Sequence, residues 1–200
     1  MPRFSDIERE KIKQKLLTEG ERLFTAYGLK KVTIDDLAAA ANIAKASFYK
    51  FYEGKEYLYL DIVQKAQADV FTNLEKMLDE NKAYSARERV KQVFLKMYEL
   101  MMEYPVLCQI NAASIEMISR KVSEQRLAEF TAQNMDAVYV LVRRGIPFAY
   151  STKIVSTVFS ALYGVWTGLQ GEDDEMKQQV INIILNGVIE QMVEENKDAE

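Results

Sequence analysis

Apolar side chains recur at intervals of three and four residues along nearly the whole chain. No sustained apolar–polar alternation of the kind a half-buried strand needs is present, so the pattern predicts an all-helical protein. Ser5 and Asp6 open a first helix and Gly28 closes it. Leu16, Gly20, Leu23 and Tyr27 fall on one face of it, with Ile12 and Phe24 beside them. Short helices follow Thr33 and Ile43, and a long one runs from about Lys55 to Asn81. Ser85 opens the next, to about Glu103, and Pro105 suits the first turn of another, to about Ser119. Ser123 starts a helix that ends near Gly145. The final pair is expected at about Ser151–Leu169 and Asp173–Glu195, with Gly171 in the turn and acidic Asp173 and Asp174 at the helix N-terminus.

The final pair carries a second signal. Val155, Val158, Phe159, Leu162, Val165, Trp166 and Leu169 form a broad apolar face. In the last helix Val180, Ile181, Ile183, Ile184, Leu185, Val188, Ile189 and Met192 cover more than one face. A helix that is apolar on several sides must be buried on several sides. Either a second helix pair covers it, or the rest of the chain does; the width of the arc favours the first. Gly164, Gly168 and Gly187 allow close helix approach.

Composition narrows the chemistry. The 200 residues are 48% hydrophobic and 28% charged, which suits one ordinary domain or two small ones. Three Pro and eight Gly reinforce the helical reading. A single Cys forbids an intramolecular disulfide and points to a reducing, cytoplasmic setting. The absence of His removes the commonest general base, the usual nucleophile–His pairs and nearly every zinc site. No metal-binding loop and no cofactor motif is visible, so the expectation is a protein that is not an enzyme and holds neither metal nor cofactor. Met1–Gly20 is charged throughout, unlike a signal peptide. The longest uncharged run, Ile154–Gly171, carries Ser156, Thr157, Ser160 and Thr167, so it reads as a core or interface helix with no membrane partner. The formal charge is −4, yet residues 1–60 hold 11 Lys/Arg against 9 Asp/Glu, a balance of +2.

That slightly basic third contains the informative motif. From Thr33 to Tyr52 the chain reads as a helix-turn-helix. Thr33 caps the first helix, Leu37 and Ala41 face inward, and small Ala38 lets two helices cross closely. Asn42 stands where the turn wants a left-handed backbone. Phe48 and Phe51 anchor the second helix, leaving Lys45, Ala46, Ser47, Tyr49 and Lys50 outside. Ala44 offers no side-chain cap.

Gly28–Ala38, Ala44–Tyr52 and Gly54–Leu58 together resemble the TetR family of bacterial transcriptional regulators. The resemblance implies an all-α fold: an N-terminal three-helix DNA-binding domain over 1–54, then a larger helical effector-binding and dimerisation domain over 55–200, about nine helices in total. Lys45 matches a position that reaches bases or nearby phosphates, and Tyr49 matches a phosphate-contacting one. Lys55 opens the long helix, where free amides and the dipole favour a phosphate. Thr33, Ala46, Ser47 and Lys50 complete the expected DNA-facing set. The resemblance places Val155, Phe159, Leu162, Val180, Ile184 and Val188 in a four-helix homodimer interface. Middle helices should hold a small effector, with Met97, Tyr98, Met101, Cys108, Asn111, Glu116, Tyr139 and Trp166 as candidates, for any one of which ordinary core is the alternative. Soft Met and aromatic side chains there suit a mostly apolar molecule. The function expected is a ligand-responsive repressor that binds a palindromic operator as a dimer. The competing reading is a small helical binding protein or enzyme that carries the tri-helical motif without operator function.

Overall fold

The structure is a computed structural model that describes residues 4–110, 112–133, 137–169 and 171–194. The described residues form α1 Asp6–Lys31, α2 Ile34–Ala40, α3 Lys45–Phe48, α4 Lys55–Glu80, α5 Ala86–Glu103, α6 Ala112–Lys121, α7 Glu124–Gln133, α8 Ala137–Arg143, α9 Thr152–Gly168 and α10 Asp174–Met192. They pack as two units, residues 4–69 with 101–133, and residues 70–100 with 137–194. The helix α4 contributes to both.

In the first unit, α1 begins with a capping box: the Glu8 amide donates to the Ser5 hydroxyl, and the Ser5 amide and hydroxyl donate to the Glu8 carboxylate. Leu16, Gly20 and Phe24 form its buried stripe, while Tyr27, on the expected apolar face, is 59% exposed. The helix breaks at Gly28, whose φ of +74° an L side chain rarely adopts. A Cβ built on Gly20 would lie 2.9 Å from Ile62 Cδ1 and 3.1 Å from Leu58 Cδ2, so glycine sets how closely α1 approaches α4. Phe24 and Tyr59 meet edge to face at 5.2 Å, which fixes the same pair of helices. α7 clasps α4 through Arg126, which donates to Asp61 at 2.8 Å and Gln64 at 2.9 Å. The Ser123 amide donates to the Tyr57 hydroxyl at 3.0 Å.

Pro105 does not open an α-helix. It leads into a 3-10 turn, Leu107–Gln109, with α6 starting only at Ala112. Gln109 Nε2 donates to the Thr25 carbonyl at 3.3 Å, and Ser114 Oγ donates to the Gln109 carbonyl. The stretch expected as one helix from Ser123 carries α7 and α8, on either side of residues 134–136, which lie outside the described set.

In the second unit, Val138, Val155 and Met192 form a buried cluster against which Phe148, Val158, Phe159 and Val188 pack. Asp173 caps α10 by accepting from the Met176 amide at 2.8 Å. Arg144 donates to the Asp79 carboxylate and the Glu75 carbonyl, holding the end of α8 to the second half of α4. No helix among the described residues is long and apolar enough to cross a membrane.

Candidate nucleic-acid interface

Local sequence builds the head. Thr33 and Asp36 form a capping box on α2: the Asp36 amide donates to Thr33 Oγ1, while the Thr33 amide and hydroxyl donate to Asp36 Oδ2 at 2.9 and 2.6 Å. Those hydrogen bonds hold the Asp36 carboxyl below its ordinary pKa. Leu37, Ala38 and Ala41 are buried, and Asn42 carries a φ of +58° at the turn. Its side chain tolerates the left-handed backbone that redirects the chain into α3. Ala44 precedes α3 and gives no side-chain cap.

The reading segment is shorter than the pattern suggested. α3 holds only Lys45–Phe48, and a tight turn carries Tyr49, Lys50 and Phe51, where the Lys50 amide donates to the Ser47 carbonyl and the Phe51 amide to that of Phe48. Phe48 is fully buried. It anchors the segment so that Lys45, Ala46, Tyr49 and Lys50 are exposed, with Ser47 half-buried. Tyr49 sets its ring edge-on to Phe48 at 5.9 Å, yet stays 52% exposed.

Two cations are engaged within the head. Lys45 Nζ donates to Asp35 Oδ2 at 2.8 Å, which raises the pKa of the ammonium. Both partners are exposed, so solvent screens the pair and it contributes little to stability. Lys55 takes a different post from the one its helix N-terminus suggested. Its Nζ donates to the carbonyls of Leu29 at 2.8 Å, Lys30 at 3.3 Å and Val32 at 2.6 Å. The three N–H groups of an ammonium are all taken by the carbonyls that end α1. Burial, the largest influence on this group, pushes its pKa down.

The sequence reading missed Asp35 and the aromatic stack beside the head. Phe4 and Phe51 lie 6.2 Å apart, Arg9 sits over Phe51 at 5.4 Å, and Lys50 over Phe4 at 5.2 Å. No short-range pattern signals pairs so distant along the chain. Thr33-x-x-Asp36, by contrast, is a legible capping signature.

The effector candidates divide between the units. Met97, Tyr98, Tyr139 and Trp166 lie in the second, and Met101, Cys108 and Glu116 in the first. Tyr98 stacks on Trp166, and Phe94 flanks both Trp166 and Phe159. Trp166 is 7% exposed and its indole N–H has no partner among the described residues. Tyr139 faces outward at 57% exposure, and exposed Glu116 pairs with Arg120. The Cys108 thiol is exposed and donates to the Met101 carbonyl. Asn111 lies outside the described residues.

The interface candidates divide as well. Val155 at 0% and Leu162 at 3% exposure are already covered within the chain, and the Phe159 ring packs 5.6 Å from Phe94. Val155 and Leu162 have little or no surface left to offer a second copy, while Phe159 is half-buried. Val180, Ile184 and Val188 are half-buried. Among the described residues, no group of three or more His, Cys, Asp or Glu is placed to hold a metal ion.

A first helix with one buried stripe, an asparagine-turned α2–α3 pair and an exposed cationic and hydroxylated face have the form of a helix-turn-helix domain. Residues 16–62 match the sequence profile of bacterial regulatory proteins, tetR family. Residues 16–62 thus carry the helix-turn-helix domain of that family, the part of the chain that the profile covers. Similar solved structures agree in fold. A TetR family transcription regulator from Marinobacter aquaeolei VT8 aligns with TM-score 0.62 and 14% identity over 95% of this chain and 100% of its own. The fatty acid degradation regulator FadR from Bacillus halodurans aligns with TM-score 0.64 and 12% identity, covering 92% and 97%. The ketosteroid regulator KstR2 of Mycobacterium tuberculosis gives TM-score 0.56 and 18% identity, covering 91% and 95%. A comparison with curated proteins finds no match.

Proposed function

We propose that the chain is a ligand-responsive repressor that binds a palindromic operator as a homodimer and is released by a small, mostly apolar effector. Residues 1–54 form the reading head and residues 55–200 the effector-binding and dimerisation part. The carrying observation is the exposed face of Lys45, Ala46, Tyr49 and Lys50 on a segment anchored by Phe48. In this reading Lys45 exchanges Asp35 for a guanine edge or a phosphate, and the Tyr49 hydroxyl fixes register on the backbone. Thr33, Ala46 and Ser47 line the same contact.

Support for an effector comes from the aromatic group of Phe94, Tyr98 and Trp166, whose buried indole N–H lacks an acceptor among the described residues. A ligand with an apolar body and one carbonyl-type acceptor would satisfy it. Because α4 contributes to both units, a ligand-dependent change in the second reaches the head through one continuous helix.

The test is footprinting on DNA upstream of the encoding gene, followed by salt titration of the protected site. Tyr49→Ala should keep the fold and weaken binding by a similar factor on all DNA sequences with the salt slope little changed, because a neutral hydroxyl holds the backbone without displacing counterions. An effector must lower operator affinity by the same factor by which operator lowers effector affinity. Trp166, the sole tryptophan, reports ligand binding by its own fluorescence. Failure of the wild-type chain to select any DNA site would remove the operator reading and favour a binding protein of another kind.

A further inference from the structure

We propose that Arg9 and Lys50 form a second DNA-backbone contact, a phosphate clamp mounted on the paired rings of Phe4 and Phe51. The proposal rests on the reading that α3 docks in an operator groove.

Ser5 is the N-cap of α1, so Phe4 occupies the position before the cap and Arg9 the fourth helical position. In a hydrophobic staple those two positions pack directly on each other. Here the fourth position is a cation, and both close on a ring from the reading segment. Phe4 tilts against Phe51 at 6.2 Å, and the Arg9 guanidinium lies 5.4 Å from the centre of the same ring. Lys50 Nζ completes the series, 5.2 Å from the centre of the Phe4 ring. Two cations from distant parts of the chain are thus drawn to one pair of rings.

What surrounds them suits an anion. Arg9 and Lys50 are exposed, and neither forms an ion pair among the described residues. Two acids flank Arg9 along α1: Glu8 is committed to the Ser5 cap, whose hydrogen bonds lower its pKa, and Glu10 accepts from Gln14 Nε2. The other head cations singled out by the sequence are occupied, Lys45 by Asp35 and Lys55 by the carbonyls ending α1. A cation over a ring face retains its N–H groups for other acceptors, and a guanidinium can present two of them to one phosphate. Lys50 also adjoins Tyr49, so the clamp continues the proposed reading face and would meet the phosphates beside the bases read by α3. Phe4 and Phe51 are positioning residues: they touch no DNA and hold the two charges at one place.

The experiment is operator binding by fluorescence anisotropy across a salt series, for wild type, Arg9→Gln, Arg9→Lys, Phe4→Ala and Tyr49→Ala. Each phosphate contact contributes about 0.9 to the slope of log affinity against log salt. Arg9→Gln should flatten the slope by about one and weaken binding roughly tenfold near 0.1 M salt, while Arg9→Lys keeps most of the slope. Phe4→Ala leaves both charges in place and should flatten the slope partially, since the charges are no longer held together. Circular dichroism should show native helicity in all of them. If Arg9→Gln keeps the wild-type slope while Tyr49→Ala weakens operator binding, the clamp is overturned and the stack is only a helix-end staple. If Tyr49→Ala leaves operator affinity unchanged, or the wild type selects no DNA, the operator reading fails with it.

Discussion

Lys55 shows how far one side chain can depart from what its position suggests. At a helix N-terminus an ammonium looks ready for phosphate, yet its N–H groups end α1 instead. Lys55→Met should therefore lower unfolding stability by about 1–3 kcal/mol, the usual loss for charged hydrogen bonds, and leave the operator salt slope unchanged. Denaturant melts set beside the salt series decide it; a flattened slope with intact stability would restore the phosphate role. Tyr59 is the opposite case, a polar tip with no visible use. It is 1% exposed and its hydroxyl has no partner among the described residues. Burial pushes its pKa up to about 12, above the ordinary 10.0. In that window the unfolded tyrosine has lost its proton and the folded one keeps it, so the native state binds more protons and stability falls as pH rises from about 10 to about 12. Tyr59→Phe should be neutral or stabilising at pH 7 and should flatten the alkaline fall, as melts at pH 7, 10 and 11 would show. Local residue logic was legible where the partners are close: Thr33 with its cap, Asn42 with its turn. It was not legible for Lys55 and Leu29, or Arg9 and Phe51, where the third dimension chooses the partner.

Among the elements, α1 and α4 form the axis that fixes the head. Their contact depends on Gly20, where an added Cβ meets the side-chain ends of Ile62 and Leu58. Alanine can be absorbed by small rotations of those flexible ends. Gly20→Val adds bulk that they cannot clear, so the helices must separate, at a cost of about 1–3 kcal/mol for an overpacked contact. Thermal melts should rank wild type above Gly20→Ala and Gly20→Ala above Gly20→Val; equal stability of all three would mean the helices are not held at this point. Periodicity marked Leu16, Gly20 and Phe24 correctly as one face, because burial obeys the helical repeat. It overran on α3 and misplaced the start of α6. Those boundaries depend on a tight turn after Phe48 and a 3-10 turn after Pro105, where local hydrogen bonding overrides the repeat.

At the scale of the whole molecule, the sequence pattern announced that α9 and α10 are too apolar for one-sided burial, with Val165 and Ile183 among their apolar positions, and it assigned Val155, Phe159 and Leu162 to the interface. Val155, Phe159 and Leu162 turn into the core of the second unit, where Val138, Phe94 and Met192 await them. The periodicity marks one broad apolar face on α9, and only the fold decides which part of it turns inward. What remains uncovered is Ile154 at 48% and Val165 at 39% on α9, and Met176 at 46% and Ile183 at 73% on α10. Gly164, Gly168 and Gly187 belong to the same outward faces, with nothing within 4 Å of an added Cβ. Small and apolar residues at helical spacing let another helix pair approach closely, so the proposed dimer interface moves to this set. Ile183 is the sharpest test because it contributes least to the chain's own core. Ile183→Asp should leave helicity and thermal stability of the isolated subunit near wild type, since its side chain is already in water there. In the dimer it would bury an unpaired carboxylate, so sedimentation or light scattering should show a monomer at concentrations where wild type is a dimer. Operator binding should fall with it, because a single head reads only one half-site. A variant that stays dimeric and binds operator normally would place Ile183 outside the interface, and the second copy would have to be sought on another face.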